Sequence, residues 1–308
     1  MDSTTTENIT RNRLIGSALI LLAAIGFSSK SILIKLAYAD SPEVDAITLM
    51  ALRMVMSLPF FLAVALWRTE NPAAKHTVKD WAALTVLGMM GYYLASLLDF
   101  RGLVYIPAGL ERLILFLYPT IVVLLTALWY RRPISQTKRR ALLLSYAGMA
   151  LVFLESSTGG NLQKIVLGST LVFGSSLVFA IFLTGSGHFI PRFGARRFTA
   201  WSMSVACIAT LTHFATTHPL EQLLVSTKVF LLGAMLALFS TVLPAFLMNT
   251  GIQRVGAANA AIVSAAGPVA TLAMAFAILG ETLSLTQVIG TVMILGGVLL
   301  VSLSKEKI

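Results

Sequence analysis

The chain has 308 residues, of which 57% are hydrophobic and only 12% charged, with a mean hydropathy of +0.84. So little polar surface cannot coat a soluble core, which points to an all-α integral membrane protein. The formal net charge of +10 does not indicate nucleic acid, because the basic residues are scattered through short loops and form neither a face nor a tail.

In chain order, residues 1–13 read as a polar tail containing the sequon Asn8-Ile9-Thr10, on a side where glycosylation does not act. The first predicted span, 14–37, carries Phe27 and Lys30; it is too long, and its leader too weakly basic, for a cleaved signal peptide. Spans follow at 46–67 with Arg53, at 80–103 with Tyr93 and Asp99, at 106–130 with Glu111, Arg112, Phe116 and Pro119, and at 140–155. These five make a first unit, 14–157. A second unit, 158–303, holds spans at 165–187 with Phe179, 197–216, 228–250 with Pro244 and Asn249, 255–279 with Asn259, Ser264 and Pro268, and 284–303. A short tail, 304–308, ends the chain. Cys207 is the single cysteine, so no internal disulfide forms. No metal-ligand cluster and no cofactor motif is read.

The two units are related. Residues 101–151 reappear without a gap as 250–300, a spacing of 149 (251 − 102), with Gly102, Ala108, Pro119, Ser135, Thr137, Gly148 and Leu151 recurring as Gly251, Ala257, Pro268, Ser284, Thr286, Gly297 and Leu300. Gly16-Ser17-Ala18-Leu19 likewise resembles Gly168-Ser169-Thr170-Leu171. If the N-terminus is cytoplasmic, sixteen basic residues fall in inner segments and four, Lys35, Arg101, Lys164 and Lys228, in outer ones. That imbalance puts both termini inside. Five spans is an odd number, so the second unit enters the membrane from the opposite side: an inverted repeat, the arrangement that suits alternating access around a midplane site.

Ionisable groups at the bilayer centre cost about 2.5 to 3.5 kcal/mol each even on lenient scales, so those present face a cavity or a partner. Lys30, Arg53, Asp99, Glu111 and Arg112 all lie in the first unit, and the counterparts of Asp99, Glu111 and Arg112, namely Met248, Ala260 and Ala261, are uncharged. Three cations against two carboxylates leave a positive excess suited to a substrate carboxylate; Glu111 or Asp99 is alternatively the carrier of a coupling proton, and internal pairing is the structural alternative. Pro119, Pro244 and Pro268 each remove a helical hydrogen bond and are the candidate hinges, Pro119 and Pro268 as symmetry mates. Phe27, Tyr92, Tyr93, Phe116, Tyr118 and Phe179 are among the rings within spans, where a wall of them suits a flat apolar ligand. Asn249, Asn259 and Ser264 can hydrogen-bond across small-residue helices, and Gly290, Gly296 and Gly297 can pack either within one chain or between chains.

Ala108-Gly109 through Pro119, and more closely Gly256-Ala257-Ala258-Asn259-Ala260 through Pro268 to Gly280-Glu281-Thr282-Leu283, resemble the two EamA-type repeats of the drug/metabolite transporter superfamily. Arg53 resembles the arginine of that family's second helix, and Leu22 to Phe27 its first-helix opening; Arg132 stands where a second acidic residue would match Glu281. The resemblance implies ten helices in two inverted five-helix repeats around a central cavity, in a bacterial inner membrane, and it is closest in kind to aromatic amino-acid exporters. The expected partners are therefore a small molecule, an aromatic amino acid first, and lipid, with coupling to a gradient or a proton. Broad-specificity efflux of drugs or other metabolites is the competing reading, and an intramembrane enzyme is disfavoured because no paired catalytic motif appears.

Overall fold

A bilayer leaves no water to satisfy backbone groups, so apolar segments that cross it must close their own hydrogen bonds as helix. The computed structural model describes residues 3–67, 76–129, 131, 133–158 and 161–303, and every regular element among them is helical. The side chains of Asn8 and Asn259, Arg132 and the tail 304–308 lie outside the described residues.

The α-helices are α1 Ser3–Asp40, α2 Ala46–Leu66, α3 Val78–Gly88, α4 Ala95–Gly102, α5 Ala108–Leu115, α6 Tyr118–Trp129 and α7 Gln136–Thr158, followed by α8 Leu162–Phe193, α9 Ala195–Thr217, α10 Thr227–Ala237, α11 Leu243–Val255, α12 Ala257–Ser264, α13 Ala266–Leu279 and α14 Leu285–Leu303. Polar side chains set several starts. Asp45 accepts from the Thr48 amide, Thr77 and Asp80 form a reciprocal capping box, and Asn161 and Ser226 cap α8 and α10. Gly194 and Gly256, at positive φ, let the chain leave one helix and start the next without a loop.

Nine helical stretches among the described residues are long and apolar enough to cross a membrane. The predicted fifth span, 140–155, is helical as part of α7 but is not among the nine, because Arg139 and Arg140 near one end and Glu155 near the other dilute its apolar run. α7 nevertheless packs along α14, where Val152, Ile294 and Val298 are buried in one cluster. Lys35 sits within α1, which runs on past the predicted span end at 37 to Asp40.

The glycine contacts between the units are exchanged reciprocally. A Cβ on Gly148 would meet the Gly290 carbonyl at 2.7 Å, and one on Gly297 would meet the Ala141 carbonyl at 2.5 Å. A Cβ on Gly102 would meet the Gly168 carbonyl, and one on Gly168 the Gly102 carbonyl, each at 3.0 Å, and a Cβ on Gly251 would meet the Gly16 carbonyl at 2.9 Å. Such close backbone approach is what small residues permit between helices in lipid. Gly290 and Gly297 are thus engaged within the chain.

Both units interrupt their helices at matching places. α5 ends at Leu115 and α12 at Ser264, 149 positions apart (264 − 115). π-helical turns occupy Met89–Leu94 and Leu238–Val242, starting at the same spacing (238 − 89 = 149). Pro119, Pro244 and Pro268 lie just beyond three of these interruptions, while the π turn at Met89 has no proline after it.

Candidate functional site

The four interruptions surround a cavity of about 530 Å³. π turns are frequent at functional sites because the extra residue breaks the regular ladder and re-aims side chains. Here they bring Gly91 and Tyr92 from one unit and Ser240 and Thr241 from the other to the lining. The polar groups freed at the breaks are met by neighbours. Pro119 cannot donate to Leu115, whose carbonyl takes the Ser176 hydroxyl at 3.2 Å, and the Gly267 carbonyl beside Pro268 takes Ser28 at 2.7 Å. Thr241 donates to the Leu236 carbonyl at 2.8 Å, and Ser240 shares a 2.8 Å bond with Ser29.

One side of the cavity is aromatic. Phe116 meets Tyr118 edge-on at 6.3 Å, Tyr118 meets Phe179 at 5.3 Å, Phe179 lies 5.7 Å from Phe182, and Tyr92 meets Phe182 at 4.9 Å. Linked edges and faces of this kind hold each other's rotamers and leave ring faces for a flat apolar group. Phe27 completes the lining from α1.

The charged end is built from α1, α2, α4 and α5. The Lys30 ammonium lies 2.5 Å from Asp99 Oδ2 and 3.4 Å from Glu111 Oε1, so both carboxylates converge on one cation. Among the described residues, the buried Asp99 Oδ1 and Glu111 Oε2 have no hydrogen-bond donor, and Glu111 Oε1 has only the long contact with Lys30. Arg53, 4% exposed, stacks its guanidinium 4.7 Å over the Phe100 ring, while its Nε and Nη2 lack acceptors. Arg112 reaches back toward Gly267, and its Nε has no acceptor. Neither arginine makes an ion pair among the described residues. The expected cationic excess therefore takes a specific form: Lys30 is engaged by the acids and the two guanidiniums are not.

Below that end, Glu281 accepts hydrogen bonds from the Ala108 and Gly109 amides at 2.7 and 3.1 Å, so an acid of the second unit caps α5 of the first. Ile32, Ala108 and Ala275 pack together there, and Lys35 lies within electrostatic reach of Glu281 and Glu111.

Of the residues singled out in the sequence, Phe27, Lys30, Arg53, Asp99, Arg112, Phe116, Phe179, Asn249 and Ser264 line the cavity. Glu111 does not; it is enclosed behind Lys30 with no exposed surface. Tyr93 points away and bonds His213 Nδ1 at 2.7 Å, and Tyr92 takes its place at the cavity, since successive helical residues project about 100° apart. Asn259 lies outside the described side chains. Ser96, Ser175, Thr199, Ser240 and Thr241 also line the cavity and were not singled out. The Ser240-Thr241 pair upstream of Pro244 was the available signal: hydroxyls beside a helix-breaking proline in hydrocarbon need a polar purpose.

The family model for the EamA-like transporter family matches residues 14–154 and 166–303. The chain is 33% identical over 301 residues to the uncharacterized transporter YcbK of Bacillus subtilis, covering 96% of this chain and 94% of that one. It is 27% identical over 239 residues to the uncharacterized inner membrane transporter YicL of Salmonella typhimurium, covering 74% and 75%. A crystal structure known only as that of a protein superposes with a TM-score of 0.61 at 18% identity, over 94% of this chain and 96% of the other, a likeness of fold.

Proposed function

Because the chain belongs to the EamA-like transporter family, and is a multi-pass membrane transporter, we propose that it exports aromatic and other apolar amino acids from the cytoplasm of a bacterial cell across its inner membrane by alternating access. The observation that carries this reading is the pairing of a ring-lined wall with two guanidiniums that make no ion pair among the described residues, in one cavity of about 530 Å³. An aromatic amino acid supplies a flat apolar group and a carboxylate in one molecule of that scale. Its carboxylate goes to Arg53 and Arg112, its ammonium to Asp99, and its ring to Phe27, Phe116, Tyr118 and Phe179.

The reciprocal glycine contacts and the matching interruptions support a ten-helix frame of two inverted five-helix repeats, with α7 as the fifth crossing and both termini cytoplasmic. Packing against α14 is what lets so polar a helix enter lipid. A zwitterion carries no net charge, so the membrane potential alone does not drive its export; the substrate gradient, or exchange with an ion such as H⁺, supplies the force.

The test is flux. Purified protein in proteoliposomes is loaded with labelled phenylalanine, tryptophan or alanine at two external pH values, and saturable efflux that falls from the aromatic residues to alanine is expected. Correctly folded protein with no saturable aromatic flux overturns the substrate assignment. Stronger competition by hydrophobic cations than by amino acids would replace it with drug efflux. A drug cation would leave both guanidiniums without an anion, which argues against that outcome.

A further inference from the structure

We propose that Lys30 is a movable internal counter-ion: it holds the place on Asp99 that a substrate ammonium takes, and on substrate binding it passes to Glu111. The inference rests on the amino-acid reading for the identity of the ligand.

Lys30 stands between two acceptors. Its ammonium is 2.5 Å from Asp99 Oδ2 and 3.4 Å from Glu111 Oε1, so closing on Glu111 needs a shift well under the reach of its flexible four-carbon stem. The two acids differ in access. Asp99 lines the cavity, so a ligand ammonium can compete there for the carboxylate that Lys30 holds. Glu111 does not line the cavity and has no exposed surface, so a ligand cation does not reach it, whereas Lys30, which lines the cavity and lies 3.4 Å from it, does. One ammonium shared by two carboxylates leaves each with half a partner; a substrate ammonium on Asp99, with Lys30 on Glu111, gives each carboxylate a cation of its own. The substrate carboxylate then adds its charge beside Arg53 and Arg112, which stand unpaired. The charged groups facing Glu111 are Lys30 from α1, Asp99 from α4 and Arg112 from its own helix, with Lys35 and Glu281 farther off.

The transfer also gives binding a mechanical consequence. Glu111 belongs to α5, whose first amides are held by Glu281 of the other unit. Occupancy at Asp99 therefore changes the electrostatics of the helix that closes this end of the cavity.

Calorimetric titration in lipid nanodiscs with phenylethylamine, hexylamine and phenylalanine tests this on the wild type, Glu111→Gln, Lys30→Met and the double variant. Glu111→Gln is expected to weaken all three ligands about tenfold or more, although Glu111 does not line the cavity, because Lys30 then has one carboxylate and stays on Asp99. The double variant is expected to restore amine binding at least to the wild-type level. Equal binding by wild type and Glu111→Gln, or failure of the double variant to rescue, overturns the proposal. Should Glu111→Gln misfold, Lys30→Met decides alone: freed Asp99 is expected to bind both amines about tenfold tighter, and unchanged or weaker binding overturns it. Amines that follow this pattern while phenylalanine does not bind defeat the amino-acid reading and leave the exchange standing; phenylalanine binding indifferent to Glu111 does the reverse.

Discussion

Arg53 shows how a single residue separates function from stability. A guanidinium at 4% exposure with two nitrogens lacking acceptors carries a desolvation penalty that its contact with Phe100 offsets only in part. Replacing such a group with an apolar chain of similar length is commonly neutral or stabilising. Arg53→Met is therefore expected to melt at the same temperature as the wild type or higher, while phenylalanine flux falls tenfold or more by the loss of a charge-assisted bond of about 1.5 to 3 kcal/mol. Thermal unfolding in detergent and proteoliposome flux, measured on one preparation, check it; a lowered melting temperature with flux lost in proportion would make Arg53 a packing residue. At this scale the sequence was informative about membership and silent about pairing. Lys30, Arg53, Asp99, Glu111 and Arg112 stand out because charge in hydrocarbon needs a reason, whereas the convergence of Asp99 and Glu111 on Lys30 joins residues 69 and more positions apart and depends on how three helices cross. The choice between Tyr92 and Tyr93 turned on the π turn, for which no proline or glycine pattern gave warning.

Among the elements, α7 and α14 make the sharpest case. The sequence gives Gly290, Gly296 and Gly297 equal standing, but their surroundings differ. A Cβ on Gly297 would come within 2.5 Å of the Ala141 carbonyl and crowd Ser145, and backbone cannot move aside cheaply. A Cβ on Gly296 would meet only Leu144 Cδ2 at 3.6 Å, ordinary contact. Gly297→Ala is accordingly expected to destabilise by about 1 to 3 kcal/mol through overpacking. Gly296→Ala is expected to be neutral or to stabilise by up to about 1 kcal/mol through helix propensity. Thermal denaturation of the two variants side by side checks the contrast, and equal shifts would mean that the α7–α14 crossing is looser than described. The helix interruptions were half legible. Pro119 and Pro268 marked the breaks after Leu115 and Ser264, and Pro244 marked the second π turn, but the first π turn is recoverable only by carrying the repeat spacing back onto a segment that lacks the proline.

For the whole molecule, one of the bond patterns that couple the two units lies at the end of the cavity. Glu281 follows α13 in the second unit and accepts the first two amides of α5 in the first, at 2.7 and 3.1 Å, while Ile32, Ala108 and Ala275 seal the apolar space alongside. From the sequence Glu281 reads as an acid closing its own repeat; its partner is visible only once the units are docked. If the units exchange access as proposed, this end must part, and the clamp must break first. Charge-assisted bonds of this kind contribute about 1.5 to 3 kcal/mol, enough to shift a two-state balance about tenfold or more. Glu281→Ala is therefore expected to open this end more often without abolishing the fold. In a background with Cys207 replaced by alanine, a cysteine introduced as Ile32→Cys reports the opening, since Ile32 is 2% exposed and lies in the seal. A membrane-impermeant maleimide added from the face where α1 ends at Asp40 is expected to label that cysteine several-fold faster with Glu281→Ala than with Glu281 intact, and Glu281→Gln, which keeps one acceptor oxygen but loses the other and the charge, is expected to fall between. Labelling at one rate in all three would show that apolar packing holds this end shut and that the carboxylate serves only to start α5.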